Sequence, residues 1–216
     1  MMKTIAIISQ KGGAGKTTLA VHLATAAHLA GITAAIFDLD PQASAEAWGQ
    51  WRDDKPPEVV PAKAATLTRS LDRARAAGVG LVILDTPGAA EGAAGAAAEA
   101  ADLILIPCRQ SGADLHAIQQ SVRLARMAGK PAAVVFNAIP PQSRDVKADA
   151  REIAQEITSK AAIPICPVHI AQRAAIAAAY DEGSTVLERD PQSRAAQEIT
   201  ALWQWTYQQL TQEAAA

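Results

Sequence analysis

The sequence predicts a doubly wound α/β domain, with a mostly parallel sheet and helices on both of its faces. Three observations support this prediction. Short apolar runs alternate with longer helical patterns, most runs are apolar throughout as in strands buried on both faces, and a glycine-rich turn joins the first run to the first helix. The chain has 216 residues, half of them hydrophobic, which is enough for a sizeable core. We expect a single domain over residues 1–216.

The individual elements follow from this alternation. The predicted strands are the apolar runs Thr4–Ser9, Thr33–Asp38, Gly80–Asp85, Leu103–Pro107, Ala132–Phe136 and Ile163–Ile165. Val59 and Val60 are expected to form a short edge strand. The predicted helices cover residues 16–30, 44–52, 66–77, 93–100, 113–128, 145–160 and 192–211. The Ala- and Gly-rich stretch from Ala89 to Ala101 fits either a mobile segment or a close-packed helix.

The last predicted helix carries one apolar face. Its members are Ile199, Leu202, Trp203, Thr206 and Leu210. We favour packing of this face on the domain over membrane binding, because a surface-seeking helix has Lys and Arg on its polar face and none follows Arg194. The N-terminus has no signal-peptide pattern, and no apolar stretch is long enough to span a bilayer. We therefore expect a cytoplasmic protein without stable membrane association.

The net charge and the two cysteines limit how the chain could bind nucleic acid and in which redox environment it works. The formal net charge of −2 gives no overall basic signature for nucleic acid, so any polyanion binding would need a local patch. Cys108 and Cys166 are the only cysteines, and each lies in an apolar run. We expect both to be buried free thiols in a reducing compartment.

The segment Gln10–Thr18, with the sequence QKGGAGKTT, is the strongest functional motif. A strand, a glycine-rich turn and a helix in succession are the context of a phosphate-binding loop. Its glycines let backbone N–H groups converge on an anion, and the helix N-terminus favours negative charge. Lys16 can reach the β- and γ-phosphates, and the Thr17 hydroxyl can bind Mg²⁺. The predicted ATP-binding residues of this segment are Lys11, Gly12, Gly13, Ala14, Gly15, Lys16, Thr17 and Thr18. The dinucleotide-binding pattern G-x-G-x-x-G does not fit, because a match that starts at Gly13 would need its third glycine at Thr18.

Other strand ends carry polar side chains that suit nucleotide chemistry. Asp38 and Asp40 follow the second strand, where ligands bind in open α/β sheets. Asp85 ends an apolar run, as in a Walker B strand, and can hold Mg²⁺ through a water. Residues 86–88 then look like a switch segment whose glycine N–H can sense a γ-phosphate. Asn137 offers a donor and an acceptor for the edge of adenine, and its alternative role is a turn residue before two prolines.

The chain resembles the ParA/MinD family of ATPases, which have a deviant Walker A loop. The resemblance rests on four motifs in the family's order: K-G-G-x-G-K-T-T, D-x-D-P-Q, hydrophobic-Asp-Thr-Pro and a strand-end asparagine. The resemblance covers Lys3 to Asn137. Gln10 replaces the first glycine of the usual loop, and Lys11 is the family's additional lysine. By this resemblance Lys11 reaches across an ATP-bound homodimer, Asp40 positions or activates the attacking water, and Asp38 lies near the Mg²⁺ shell. The implied catalytic residues are Lys11, Lys16 and Asp40, the implied metal site is Thr17, Asp38 and Asp85, and the implied base contact is Asn137.

The chain is similar in size to the small ParA type of plasmid partition systems, which lack an N-terminal helix-turn-helix domain. The resemblance implies ATP and ADP as ligands, Mg²⁺ as cofactor and weak intrinsic hydrolysis. It also implies that the ATP-bound dimer binds DNA nonspecifically on the nucleoid. A ParB-like or other small centromere-binding partner protein would stimulate hydrolysis and so drive segregation. Arg173 best matches a DNA-contacting arginine of the family.

Other functions share part of this pattern. A ParA-like ATPase that positions a protein cargo would carry the same motifs and stays open. A MinD-like membrane-cycling ATPase is disfavoured by the absence of a basic amphipathic C-terminus. An ATPase like the nitrogenase iron protein is disfavoured because Cys108 and Cys166 lie outside the switch segments. A ligase such as dethiobiotin synthetase is disfavoured by Lys11 and Asp-Pro-Gln.

Overall fold

The computed structural model describes residues 1–88, 91–140, 143 and 146–212. Its strands are β1 (Lys3–Ile7), β2 (Ala34–Asp38), β3 (Glu58–Pro61), β4 (Leu81–Asp85), β5 (Leu103–Cys108) and β6 (Ala132–Phe136). They form one sheet in the order β3-β2-β4-β1-β5-β6, and every neighbouring pair is parallel. Both the parallel sheet and the edge strand around Val59 and Val60 are therefore confirmed.

Helices and one 3₁₀ turn (Ala64–Thr66) connect the strands. The helices are α1 (Lys16–Leu29), α2 (Ser44–Gln50), α3 (Leu67–Ala76), α4 (Glu91–Ala100), α5 (Gly112–Ala128), α6 (Ala148–Ser159), α7 (Ala174–Asp181), α8 (Val186–Arg189) and α9 (Arg194–Gln212). The predicted start of α6 at residue 145 and the beginning of the Ala/Gly-rich stretch at residues 89–90 lie outside the described residues. From Glu91 onward that stretch is a close-packed helix, with Ala94, Ala97 and Ala98 buried.

The helices cover both faces of the sheet, as the doubly wound prediction requires. Alternate residues of β1 point to opposite sides, with Ile5 and Ile7 in one core and Ala6 in the other. The first core joins α1, α2, α7, α8 and α9, and the second joins α3, α4, α5 and α6. The apolar face of α9 lies in the first core, where Ile199 and Leu202 are fully buried. None of the helices in the described part of the chain is long and apolar enough to cross a membrane.

The predicted strand at Ile163–Ile165 is wrong. Only an isolated bridge forms there, between Ile165 and Val134 of β6. Its two hydrogen bonds run from the Val134 N–H to the Pro164 carbonyl and from the Cys166 N–H to the Val134 carbonyl. Proline nitrogens at positions 164 and 167 cannot donate to a ladder, so pairing stops after one residue. The short helices α7 and α8 were not predicted from the sequence.

Candidate functional site

The parallel sheet brings the carboxyl ends of all its strands to one edge. The loop of residues 8–15 follows the central strand β1, which lies between β4 and β5. Asp38 ends β2 and is paired in register with Asp85, which ends β4. Asn137 follows β6. The topology therefore places the sequence-predicted residues of four strand ends beside one another, at the position where ligands bind in open α/β sheets.

Two glycines shape the loop that leads into α1. Gly13 (φ +74°) and Gly15 (φ +88°) both have left-handed backbone conformations that side chains disfavour. At Gly15 a side chain would also collide with a neighbour, because its Cβ would lie 2.2 Å from Asn137 Nδ2. Gly88 lies against the other side of the loop, where a Cβ would come within 2.9 Å of the Gly12 nitrogen. The loop is thus held closely between Asn137 and the segment after β4.

Lys16 begins α1 and is buried at the base of the loop. Its Nζ donates to the Lys11 carbonyl at 3.3 Å. Burial lowers the pKa of this ammonium, and the negative charges of Asp85 and Asp40 oppose the shift. The side chain is therefore a desolvated cation that points back along the loop, where a bound phosphate would be close to it.

Asp85 is fully buried, and neither of its carboxylate oxygens makes a hydrogen bond of good geometry within the described residues, although the Thr17 hydroxyl lies close to them. Burial raises its pKa to about 7, while the nearby Thr17 hydroxyl and Lys16 ammonium hold the rise back, and Asp38 and Asp40 add to it. Unpaired buried oxygens are costly, and they occur mostly where a ligand or ion completes the site. Asp85 therefore has the features of a site that is completed by a cation.

The donors around Asp85 fit Mg²⁺. Mg²⁺ keeps several waters and uses one or two protein oxygens together with substrate phosphates. A carboxylate and the Thr17 hydroxyl meet that requirement. No group of three or more His, Cys, Asp or Glu side chains that would hold a metal alone occurs among residues the structure describes.

Asp38 and Asp40 share the turn after β2 but have different surroundings. The Asp38 carboxylate accepts the backbone N–H groups of Asp40 at 2.9 Å and of Glu46 at 3.0 Å. Burial raises its pKa, and these N–H groups limit the shift. Asp38 thus fixes the turn and the start of α2, and its role near Mg²⁺ stays a prediction. The half-buried Asp40 carboxylate accepts a hydrogen bond from the Gln42 N–H at 3.0 Å and from no other group among the described residues, and it lines the cleft.

Asn137 is buried against the loop, and its amide is already engaged. Its Nδ2 donates to the Ala14 carbonyl at 2.8 Å. A two-point contact with adenine would use one amide N–H and the Oδ1 acceptor, and the bond to Ala14 takes one of the two N–H groups of this amide. The base contact stays a prediction, and the observed contact positions the loop.

Besides Lys16, the family resemblance assigned roles to two other cations, Lys11 and Arg173, and both form ion pairs. Lys11 Nζ lies 2.8 Å from Asp114 Oδ1, in the first turn of α5, and the Lys11 side chain is 38% exposed. Although burial raises the pKa of Asp114, the Lys11 ammonium and the Ser111 hydroxyl hold it below its usual range. Arg173 pairs with Glu198 of α9. Its DNA contact stays a prediction that needs this pair to open or to be shared.

The loop, Asp40 and the segment after β4 line one cleft of about 780 Å³. Two of its lining residues were missed by sequence analysis, Arg109 after β5 and Tyr180 in α7. Tyr180 donates its hydroxyl hydrogen to the Ser44 carbonyl at 2.6 Å, which ties α7 to the start of α2. Burial raises the pKa of Tyr180 to about 12. No local sequence signal marks either residue, because only the fold brings them to the cleft.

Residues 5–186 match the CobQ/CobB/MinD/ParA nucleotide-binding domain, which spans most of the chain. The chain belongs to this family. Among the relatives of this ParA/MinD chain is the maintenance of carboxysome distribution protein A from Gloeobacter kilaueensis. It is 33% identical over 162 residues, which are 71% of each chain. Protein ParA from Rhizobium radiobacter is 32% identical over 127 residues, 57% of this chain and 56% of its own.

A solved structure of the same fold is apo McdA from Cyanothece, with a TM-score of 0.79. The comparison covers 95% of this ParA/MinD chain and 100% of that structure at 17% identity, which supports the fold alone. The nucleotide-binding assignment and the doubly wound fold are thus both confirmed.

Proposed function

We propose that the chain is an ATPase that acts as an ATP-bound homodimer, binds DNA nonspecifically and uses slow hydrolysis to segregate DNA. The observation that carries this proposal is the pair of unpartnered, buried Asp85 oxygens beside Thr17 and Lys16, at the base of a glycine loop. A buried carboxylate in this position has little structural value without a cation and phosphates to complete it.

The proposed reaction converts ATP and water to ADP and phosphate. Lys16 and the loop N–H groups neutralise the phosphates, and Thr17 and Asp85 would hold Mg²⁺, which supplies further charge neutralisation when bound. Asp40 is the best placed described carboxylate to orient the attacking water, because it lines the cleft and is only partly engaged. Lys11 supplies the second cation, in the partner subunit's site.

Dimerisation and DNA binding rest on the family resemblance and on the position of Lys11 at the rim of the loop. ATP-bound subunits would face one another across their clefts, and hydrolysis would release them. A ParB-like or other small centromere-binding protein would stimulate that step. We place the protein in the cytoplasm, on the nucleoid, with DNA as its track.

A second candidate function is the positioning of a protein assembly on the same track. The relative named for maintenance of carboxysome distribution favours it. The two candidates differ in cargo only, so deletion of the gene separates them: plasmid loss indicates DNA segregation, whereas clustering of a protein assembly indicates positioning. A MinD-like membrane cycle has less support, because the apolar face of α9 is buried in the core.

The test measures binding to a fluorescent nonspecific DNA duplex without nucleotide, with ADP and with ATP, across a salt series. Asp40→Ala holds the ATP state, since loss of the water-orienting carboxylate should lower turnover about 100-fold or more. We expect ATP-dependent dimers by sedimentation and DNA binding that weakens steeply with salt only in ATP. Dimers that fail to bind DNA even at low salt would overturn the DNA track, and Asp40→Ala with full turnover would overturn the role of Asp40.

A further inference from the structure

Arg109 is a cation of the cleft to which no role has yet been given. It directly follows β5, which pairs in register with β1, so its backbone lies beside the phosphate loop. Its Nη2 atom lies 4.0 Å from the position that a Cβ on Gly13 would occupy. The guanidinium therefore lies close to the predicted phosphate-binding loop.

The Arg109 side chain is exposed, and its guanidinium has no ion pair or hydrogen bond within the described part of the chain. Some other arginines are in ion pairs, such as Arg52 with Glu188 and Arg75 with Asp72. Its cationic neighbour Lys11 is held by Asp114. The charge of Arg109 also acts on Asp114, but Arg109 makes no salt bridge with it, so Arg109 can accept an anion from solution without breaking one.

The location of Arg109 also suggests which part of the nucleotide it meets. It lies on the wall between the phosphate cleft and a smaller adjoining pocket of about 280 Å³. That pocket is lined by Gly15 and Thr18 at the start of α1 and by Asn137 and Tyr180. Asn137, the predicted base contact, lines only the smaller pocket, and Lys11 lines neither pocket. Arg109 lines both, so it lies between the predicted base site and the phosphate loop.

We propose that Arg109 binds the α- and β-phosphates of the nucleotide in its own subunit. A guanidinium presents a planar fork that contacts two phosphate oxygens at once, which an ammonium does not. The inference rests on the proposed function, because it takes a nucleoside di- or triphosphate as the ligand. It assigns to one subunit two cations for its own nucleotide, Lys16 and Arg109, and leaves Lys11 for the partner's nucleotide.

Binding of ADP tests this role without any contribution from a dimer. The proposed dimer needs the γ-phosphate, which ADP does not have. Calorimetric titration should show that Arg109→Ala weakens the binding of Mg-ADP and of a non-hydrolysable Mg-ATP analogue by the same factor, about tenfold. Arg109→Lys keeps the charge but not the fork, and should weaken both by about threefold. Arg123→Ala removes an equally exposed arginine, one that lines the groove between α5 and α6, and should leave both affinities unchanged.

The outcomes distinguish this inference from the proposed function. If the unmodified chain binds neither nucleotide, the proposed function fails. If it binds both and Arg109→Ala binds equally well, the function stands and the inference is overturned. A loss confined to the ATP analogue would also overturn it, because Arg109 would then act on the γ-phosphate or on the partner's nucleotide. Circular dichroism spectra that match the unmodified chain exclude misfolding as the cause of an equal loss.

Discussion

At the scale of single residues, Asp85 combines full burial, a negative charge and no hydrogen bond of good geometry among the described residues. Its pKa of about 7 lies well above the ordinary value for aspartate, so Asp85 in the folded chain is mostly protonated below about pH 7. Ionisation with rising pH then works against folding, because the unfolded chain ionises at lower pH. Ionised Asp85 therefore lowers the stability of the folded chain unless a cation binds beside it.

This conflict predicts the behaviour of Asp85→Asn. The stability that comes from protonated Asp85 is complete below the unfolded pKa and is lost as pH rises through about 7. Without nucleotide, the variant should therefore match the unmodified chain near pH 4, gain on it steadily as the pH rises towards 7, and melt about 3 °C or more above it at pH 8, roughly 1 kcal/mol or more. Scanning fluorimetry at pH 4, 5, 6, 7 and 8 measures this. The rise in Tm on adding Mg²⁺ and ADP should be smaller in the variant.

Asp72→Asn is the matched control. Asp72 is exposed and pairs with Arg75 on the surface of α3, so its removal should change Tm little and equally across this pH range. An Asp85→Asn variant that is no more stable than the unmodified chain at pH 8 would contradict the view that its charge is buried and unpaired in the free protein.

Sequence analysis located the residues with short-range motifs and missed those that only the fold assembles. Lys16 and Thr17 follow from a nine-residue pattern, and Asp85 from its place at the end of an apolar strand. Arg109 and Tyr180 reach the same cleft from β5 and α7, and nothing in their local sequence indicates it. The same holds for pairs between distant segments, such as Arg52 with Glu188.

At the scale of elements, α2 and the turn after α7 form one closely packed junction. The buried Trp48 of α2 donates its indole N–H to the Ser184 carbonyl at 3.2 Å, and Arg52 Nη1 donates to the Gly183 carbonyl at 2.9 Å. Gly183 is left-handed, with φ +61°, and a Cβ there would lie 2.5 Å from the backbone carbon and oxygen of Trp51. Only glycine satisfies both the conformation and the space.

Gly183→Ala should therefore destabilise the chain strongly. The left-handed conformation costs an alanine about 1 kcal/mol, and the collision with the Trp51 backbone adds to it, for a total of about 3 kcal/mol or more. Gly78→Ala isolates the first cost, since Gly78 has φ +80° with open space around it. Urea unfolding measures both variants. Equal losses for Gly183→Ala and Gly78→Ala would show that the junction opens easily.

The elements that sequence analysis predicted well are those with a continuous pattern. All six strands of the sheet lie within predicted runs or overlap them. Five of them are largely buried on both faces, which demands an uninterrupted apolar sequence, whereas the partly exposed edge strand β3 was predicted from Val59 and Val60 alone. The short helices α7 and α8 were missed by sequence analysis. α7 is alanine-rich and α8 is a single turn, so neither has an apolar periodicity to detect. Ile163–Ile165 had the composition of a strand, but Pro164 at its centre has no N–H to donate to a ladder.

At the scale of the whole molecule, the proposed function requires the chain to report its nucleotide state to a partner subunit, and we propose that Lys11 does so. Its carbonyl accepts the Lys16 ammonium within its own subunit, while its side chain extends to Asp114 at the rim of the cleft. The backbone of Lys11 therefore serves the subunit's own site, and its ammonium is available for another subunit once Asp114 releases it. These two parts can be separated by mutation.

Lys11→Ala removes the ammonium and keeps the carbonyl. We expect unchanged ADP affinity by calorimetry, a loss of stability within about 1 kcal/mol because the ion pair is partly exposed, and no ATP-dependent dimer by light scattering. Lys63→Ala, at an exposed lysine before α3, is the control and should dimerise normally. Dimers of Lys11→Ala at the usual ATP concentration would contradict a role between subunits. A parallel fall in ADP affinity would place the ammonium in its own site instead, because ADP binding in this scheme involves one subunit only.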